Sequence, residues 1–153
     1  MAEVIYSDDE ISEVVRQLQD CTLPKDEWTH AAHWAAALAI ASAEDEPFAV
    51  MAATIPPYNE AVGGQNTDTE GYHDTITYAC MALAEMVVGE AEGRSLSDIH
   101  AAVMASPLGG MDWLKRHHSP EILWSVAARR KAVEPDLAPL KDALQDVTDN
   151  LQG

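Results

Sequence analysis

Hydrophobic residues recur along most of the chain at intervals of three and four, which is the spacing of one face of an α-helix. Runs of β-branched residues are scarce and alanine is abundant, so the pattern does not favour strands. The hydrophobic stripes lie within residues 11–18, 31–43, 48–55, 72–87, 95–106, 119–131 and 140–151. The sequence therefore predicts an all-α fold, a single-domain bundle of about five to seven helices over residues 1–153.

The predicted second helix is apolar on nearly every side. Thr22 or Asp26 is expected to cap its start, and it is expected to end near Ala43. A helix without a polar face belongs at the centre of a bundle. The predicted fourth helix, from about Thr69 to Glu90, is expected to pack against it as the other member of a central pair.

Prolines mark the boundaries of other predicted helices. Pro47 opens the third helix, and Pro56–Pro57 either end it or kink it so that it continues for a further turn. Ser119 followed by Pro120 is a strong start for a late helix, with serine as the cap and proline in the first turn.

The chain is strongly acidic, with 26 Asp and Glu residues against 9 Lys and Arg and a formal net charge of -17. Such a surface repels phosphate groups and anionic membranes, so we expect neither nucleic acid nor membrane as a partner. Cys21 and Cys80 lie far apart in apolar surroundings and are expected to be reduced. The first ten residues lack the features of a signal peptide, which favours a cytoplasmic location. A homo-oligomer is compatible with all of these features.

Three histidines are the main candidates for chemistry. His30 and His33 lie three residues apart on the apolar second helix, so their side chains share a face. His73 follows a polar loop and could bring a third imidazole. Three protein ligands and one open position form the ligand set of a catalytic zinc, so a single divalent metal on these histidines is one hypothesis. Without metal, His33 or His73 would act as a general base that Asp74 or Tyr72 orients.

Two alternatives use the same residues differently. Glu27 and Glu70 each precede a histidine by three residues, as in carboxylate bundles that hold two irons. The further inward glutamates of such a site are not evident, because Glu13 and Glu60 are only nominal candidates. In the other alternative the histidines hydrogen-bond within the core, and the chain is a structural or interaction domain.

The remaining histidines and the basic cluster carry weaker expectations. His117–His118 precede a helix start and are expected at the surface, and His100 has no functional assignment. Arg129 and Arg130 fall late in a predicted helix, where cations complement the helix dipole. In the alternative interpretation, one of them turns inward to bind the carboxylate of Asp74 or of a ligand.

The loop 58–77, YNEAVGGQNTDTEGYHDTIT, contains more polar groups than helix capping requires. One of Thr67, Asp68 or Thr69 would suffice as a cap. We therefore expect the loop to form one wall of a small-molecule pocket, with the three histidines as its floor. The predicted ligand-binding residues are Trp28, Tyr58, Asn59, Asn66, Thr67, Tyr72, Thr77 and Arg129.

Three blocks, LPKDEWTHAAHW (23–34), YNEAVGGQNTDTEGYHDTIT (58–77) and SPEILWSVAARRKAVEPDLAPL (119–140), resemble a family of small uncharacterised bacterial proteins. Family members carry a Trp-Thr-His-x-Ala-His block, then Tyr-Asn…Asn-Thr…Gly-Tyr-His-Glu-Thr, then Ala-Arg-Arg…Pro-Asp-Leu. Asp74 stands here where the family has glutamate, and Glu27 and Glu70 fall outside the family pattern. The resemblance implies no activity. The residues that it matches to motif positions are Trp28, Thr29, His30, His33, Tyr58, Asn59, Asn66, Thr67, Gly71, Tyr72, His73 and Thr77.

Overall fold

The helices follow the predicted stripes closely. A computed structural model of the chain describes residues 5–152, and within that range it contains helices and no strand. The α-helices are α1 Asp8–Gln19, α2 His30–Ala43, α3 Pro47–Ala61, α4 Asp74–Glu90, α5 Leu96–Met104, α6 Pro120–Leu123, α7 Val126–Arg130 and α8 Leu144–Gln152. Short 3₁₀ turns occupy Lys25–Glu27, Pro107–Gly109, Trp113–Arg116 and Leu140–Ala143. The prediction of an all-α helical bundle is confirmed.

Polar side chains cap the starts of most helices, as residue preferences lead one to expect. Ser7, Ser95, Ser119 and Ser125 cap α1, α5, α6 and α7. The cap of α2 is Thr29, whose Oγ1 accepts a hydrogen bond of 3.2 Å from the N–H of Ala32. The predicted caps at Thr22 and Asp26 were therefore wrong, because the intervening residues form a separate 3₁₀ turn.

Helix α4 begins five residues later than predicted, at Asp74 rather than Thr69. The chain reverses at Gly71, whose φ of +81° lies in the left-handed region that glycine adopts without strain. The ring of His73 then caps the helix, because its Nδ1 accepts a hydrogen bond of 3.2 Å from the N–H of Ile76. The helix ends at Glu90, as predicted.

Of two other predicted helices, one continues past its prolines and one is divided into two. Helix α3 continues through Pro56–Pro57 to Ala61, so the longer of the two predicted versions is correct. The late helix from Ser119 is interrupted at Trp124, and Ser125 caps a new helix that carries the basic pair.

Helix α2 forms the centre of the bundle, as its apolar sequence predicted. It packs most extensively against α4 and also contacts α1, α3 and α5. Its inward positions are mostly small, and the buried residues of α2 are Ala31, Ala32, Trp34, Ala35, Ala36, Ala37, Leu38 and Ile40. No helix within residues 5–152 combines the length and the apolar character needed to cross a membrane.

The segment that follows α7 folds back over the residues before α6. The N–H of Leu137 donates to the carbonyl of His117 at 3.0 Å, and Nδ1 of His117 hydrogen-bonds the carbonyl of Ala138 at 3.1 Å. His117 and His118 are consequently buried, with 2% and 1% of their surface exposed. Their predicted surface position was wrong because the covering segment lies twenty residues further along the chain. His100, on α5, is also buried.

Candidate functional site

A cavity of about 360 Å³ lies beside the first turns of α2, and all four tryptophans of the chain line it. We call it the tryptophan cavity. Trp28 lies just before α2 and Trp34 within it, whereas Trp113 and Trp124 come from turns late in the chain. Trp124 is 62% exposed, while Trp113 is buried. Separate segments of the chain thus bring four large aromatic rings to one small volume.

Two of the predicted histidines, His30 and His33, line this cavity. Nε2 of His30 lies 2.8 Å from the carbonyl oxygen of Leu108, and Nε1 of Trp34 donates to the same oxygen at 2.9 Å. A carbonyl oxygen only accepts hydrogen bonds, so Nε2 of His30 carries a proton. Nδ1 of the neutral ring then carries a lone pair, and it makes no hydrogen bond to any residue from 5 to 152.

His33 is held between an aromatic ring and a thiol. The ring of Trp28 lies 5.0 Å from the His33 ring, and Nδ1 of His33 lies 3.7 Å from Sγ of Cys80. Burial, together with the neighbouring His30, lowers the pKa of His33 to about 4, so this imidazole is neutral near pH 7. Burial also raises the pKa of the Cys80 thiol, which keeps it protonated and therefore a poor nucleophile.

His73 uses both of its ring nitrogens to hold the fold together. Its Nε2 donates to the carbonyl of Leu123 at 2.7 Å, while its Nδ1 accepts from the N–H of Ile76 at 3.2 Å. Burial lowers the pKa of His73, as expected for an imidazole whose hydrogen bonds require the neutral form. His73 therefore joins the start of α4 to the end of α6 and has no nitrogen left for a metal or for proton transfer.

The predicted zinc ligands His30, His33 and His73 do not form a metal site. Across residues 5–152, no three His, Cys, Asp or Glu side chains lie where they could hold one ion. The same observation argues against the two-iron alternative, and its glutamates Glu27 and Glu70 are exposed. The physical reason is that the helix cap at His73 consumes the lone pair that a metal would need.

The loop 58–77 lines a second cavity, of about 380 Å³, on the other side of His33. His33 and His73 both line this loop cavity, whereas His30 lines only the tryptophan cavity. Trp28, His33 and Ile76 line both cavities and therefore lie between them. The three histidines thus divide between two neighbouring cavities instead of forming one floor.

Asn66 ties the loop together with all of its polar atoms. Its Oδ1 accepts hydrogen bonds of 3.0 Å from Nδ2 of Asn59 and from the N–H of Tyr72. Its Nδ2 donates to the carbonyl of Pro56 at 2.9 Å and to the carboxylate of Glu60 at 3.1 Å. Asn66 therefore joins α3 to the chain just before α4, and it is not a spare ligand-binding group.

Other predicted ligand-binding groups of the loop are also used internally. The hydroxyl of Tyr58 is buried and donates to the carbonyl of Leu23 at 2.9 Å. Thr67 Oγ1 accepts hydrogen bonds from two N–H groups within the loop. Thr77 donates to the carbonyl of His73 at 3.0 Å. The expectation that the loop has more polar groups than its structure needs was wrong, because Thr67 and Thr77 satisfy backbone groups of the loop and Tyr58 satisfies the backbone of Leu23.

Asp74, predicted to orient a catalytic histidine, instead fixes the C-terminal part of the chain. It accepts hydrogen bonds from the hydroxyl of Tyr72 at 2.6 Å and from the N–H of Ala132 at 2.8 Å. Burial, and then the bond to Asp74, raises the pKa of Tyr72. This arrangement leaves Asp74 with a positioning role in the fold rather than a contact to an imidazole.

Arg129 and Arg130 were predicted either to complement the helix dipole or to turn inward to a carboxylate, and each fulfils part of these predictions. Arg129 turns towards the loop, but its Nη1 donates to backbone, at 3.0 Å to the carbonyl of Gly71, rather than to a carboxylate. Arg130 stays on the surface and forms two hydrogen bonds, of 2.7 and 2.6 Å, to the carboxylate of Asp68.

Sequence reasoning missed most of the residues that build the tryptophan cavity. Trp34, Trp113, Trp124 and Cys80 had no assigned role in a site, and of the four tryptophans only Trp28 was expected to contact a ligand. Four tryptophans in 153 residues were a usable signal, since large aromatic rings dominate apolar binding sites.

Comparisons with known proteins add no assignment. No protein-family profile matches the chain, and no curated protein or solved structure matches it either. The resemblance to the small bacterial family therefore stays a prediction.

Proposed function

We propose that this protein binds a small, largely apolar molecule in the tryptophan cavity and does so without catalysing a reaction. The observation that carries the proposal is the convergence of all four tryptophans on one cavity of about 360 Å³. Small-molecule sites are typically clefts of about 300–1,000 Å³, lined by aromatic side chains with a few placed polar groups. His30 and His33 are the polar groups that suit this description.

The chemistry of the lining favours binding over catalysis. The thiol of Cys80 is protonated, so it lacks the thiolate form that a nucleophile requires. His33 has a pKa of about 4, well below the value near 7 that suits a general base at neutral pH. Neither group is therefore matched to nucleophilic or acid–base work near pH 7.

A fluorescence titration tests the proposal. The uncharged aromatic probe N-phenyl-1-naphthylamine should bind saturably, with enhanced probe emission and quenched tryptophan emission. The quenching should be strong because all four indoles line the cavity. The absence of saturable binding would contradict the proposal and would favour the alternative in which the histidines serve only the core.

A matched pair of variants locates the site. Trp124→Ala removes a cavity-lining ring that is 62% exposed, so the fold should persist. An aromatic contact contributes about 0.5–1.5 kcal/mol, so the probe should bind about threefold to tenfold more weakly. Leu137→Ala is the control, because Leu137 is 57% exposed and lies outside this cavity. Equal weakening by both substitutions would refute binding at the tryptophan cavity.

A further inference from the structure

We propose that the molecule bound in the tryptophan cavity carries an O–H or N–H group that donates a hydrogen bond to Nδ1 of His30. This inference rests on the proposed function and specifies the class of ligand. The expected ligand is uncharged and aromatic or otherwise apolar, with one hydrogen-bond donor, as in a phenol, an indole or an alcohol.

The Leu108 carbonyl determines the tautomer of His30. The carbonyl oxygen accepts from Nε2 of His30 at 2.8 Å and from Nε1 of Trp34 at 2.9 Å. In the neutral form of the ring one nitrogen is protonated and the other is not, so with the proton on Nε2 the acceptor is Nδ1. If the proton moved to Nδ1, the lone pair of Nε2 would face the lone pairs of the Leu108 carbonyl oxygen, and the hydrogen bond would be lost.

The acceptor at Nδ1 has no partner within residues 5–152, although His30 lines the cavity. His30 is half-buried, and a ligand that covers its Nδ1 without supplying a donor leaves that acceptor unsatisfied, which costs free energy, so a ligand that brings a donor is favoured over one that does not. An ether or a tertiary amine offers only lone pairs, which would face the lone pair of Nδ1. The cavity should therefore discriminate between a hydroxyl compound and its methyl ether.

His33 selects less strongly than His30 for a hydrogen-bond donor on the ligand. Its Nδ1 faces the Cys80 sulfur at 3.7 Å, and a thiol is both a weak donor and a weak acceptor. Either tautomer of His33 is therefore tolerated, and its other nitrogen adapts to the ligand. The selection for a donor falls on His30.

The charge of the lining argues against an ionic ligand. A ring of tryptophans also suits a cation, through interaction with the aromatic faces. Among the described residues, however, no carboxylate lines this cavity, and its charged lining residue is Lys115. Nζ of Lys115 pairs with the carboxylate of Asp112 at 3.2 Å, and 71% of the Lys115 side chain is exposed. Lys115 is therefore not placed to bind an anionic ligand either.

Calorimetric titration near neutral pH with three matched probes tests the inference. The probes are 2-naphthol, its methyl ether 2-methoxynaphthalene, and the cation trimethyl(2-naphthyl)ammonium. A single hydrogen bond supports a preference of about threefold to tenfold, so 2-naphthol should bind tighter than the ether by that factor. In His30→Phe the preference should vanish while the ether keeps its affinity, and Trp34 still satisfies the Leu108 carbonyl.

Nuclear magnetic resonance of ¹⁵N-histidine-labelled wild-type protein gives a readout that needs no variant. The Nδ1 resonance of His30 should shift when 2-naphthol is added and stay in place with the ether. Equal binding of both probes, with no Nδ1 shift, overturns this inference but leaves the proposed function intact. Tighter binding of the ammonium probe overturns the inference as well. Failure of all three probes to bind overturns both proposals.

Discussion

The prediction with the clearest structural basis is that Asn66→Ala destabilises the folded protein. The substitution removes the hydrogen bonds that Asn66 makes to Asn59, Tyr72, Pro56 and Glu60. It leaves the N–H of Tyr72 and the amide of Asn59 without their acceptor, and it removes the hydrogen bonds that join the end of α3 to the residues just before α4. Its effect should therefore be on unfolding and not on ligand affinity alone.

The magnitude follows from the surroundings of each bond. A neutral intramolecular hydrogen bond contributes about 0.5–1.5 kcal/mol, and an unsatisfied buried partner costs about 1–3 kcal/mol. Three of the four bonds are partly buried, whereas the bond to the Glu60 carboxylate is exposed and contributes little. We expect a loss of about 2–4 kcal/mol in the free energy of unfolding. An asparagine that mainly contacted a ligand would cost about 1 kcal/mol or less.

Urea unfolding followed by circular dichroism measures this loss, and the slope against urea should stay unchanged if only stability differs. The matched control is Gln65→Ala, because the adjacent Gln65 is exposed. An exposed substitution of this kind changes stability by about 0.5 kcal/mol at most. If Asn66→Ala also falls within about 0.5 kcal/mol of wild type, the loop does not depend on Asn66, and the structural reasoning about the loop is refuted.

Three further predictions concern stability. Gly71→Ala should lower the free energy of unfolding in urea by more than about 2 kcal/mol, because φ is +81° and the added Cβ would lie 2.0 Å from the carbonyl oxygen of Gln65. Gly89→Ala should instead raise it by about 0.5–1 kcal/mol, because Gly89 is helical and its Cβ would meet open space. A change of the same sign in both variants would contradict this explanation. Because the folded pKa of His33 is about 4, below the reference value of about 6.5, the folded state binds fewer protons and stability falls as pH drops through about 6.5 towards 4. The part of this stability loss that is due to His33 should be about 2 kcal/mol after allowance for partial exposure. If the melting temperatures of wild type and His33→Gln change in parallel between about pH 7 and 5, His33 makes no such contribution. Arg130→Gln should lose less than about 1 kcal/mol in the same urea assay, because its ion pair is exposed, and a larger loss would show that the pair is more than a surface contact.

The sequence was most informative where a signal is local. The apolar helix α2, the cap at Ser119 and the absence of strands from residues 5–152 all follow from neighbouring residues, and each agrees with the structure. The placement of a cavity between the loop and His33 was also anticipated in part. Local patterns determine helices because hydrogen bonds and capping groups lie within a few residues of each other.

The sequence was least informative where a contact joins distant segments. Three standard capping residues precede His73, so its use as the helix cap was not the obvious choice. The partner of His30 is the backbone carbonyl of Leu108, and a backbone atom leaves no signature in the residue type. Trp113 and Trp124 reach the cavity only after the chain has turned several times, which no periodicity records.

The alanine-rich interior of α2 gives this protein an unusual pattern of mutational tolerance. Ala35, Ala36 and Ala37 are fully enclosed and already carry the smallest side chain compatible with a good helix. At these three positions truncation, which damages most protein cores by leaving voids, has almost nothing to remove. Enlargement is the hazard, since one or two added methyl groups would have to push neighbouring helices apart in a closely packed interior. Substitutions at these three alanines should consequently be tolerated when they introduce glycine or serine far more readily than when they introduce valine or leucine, which add volume.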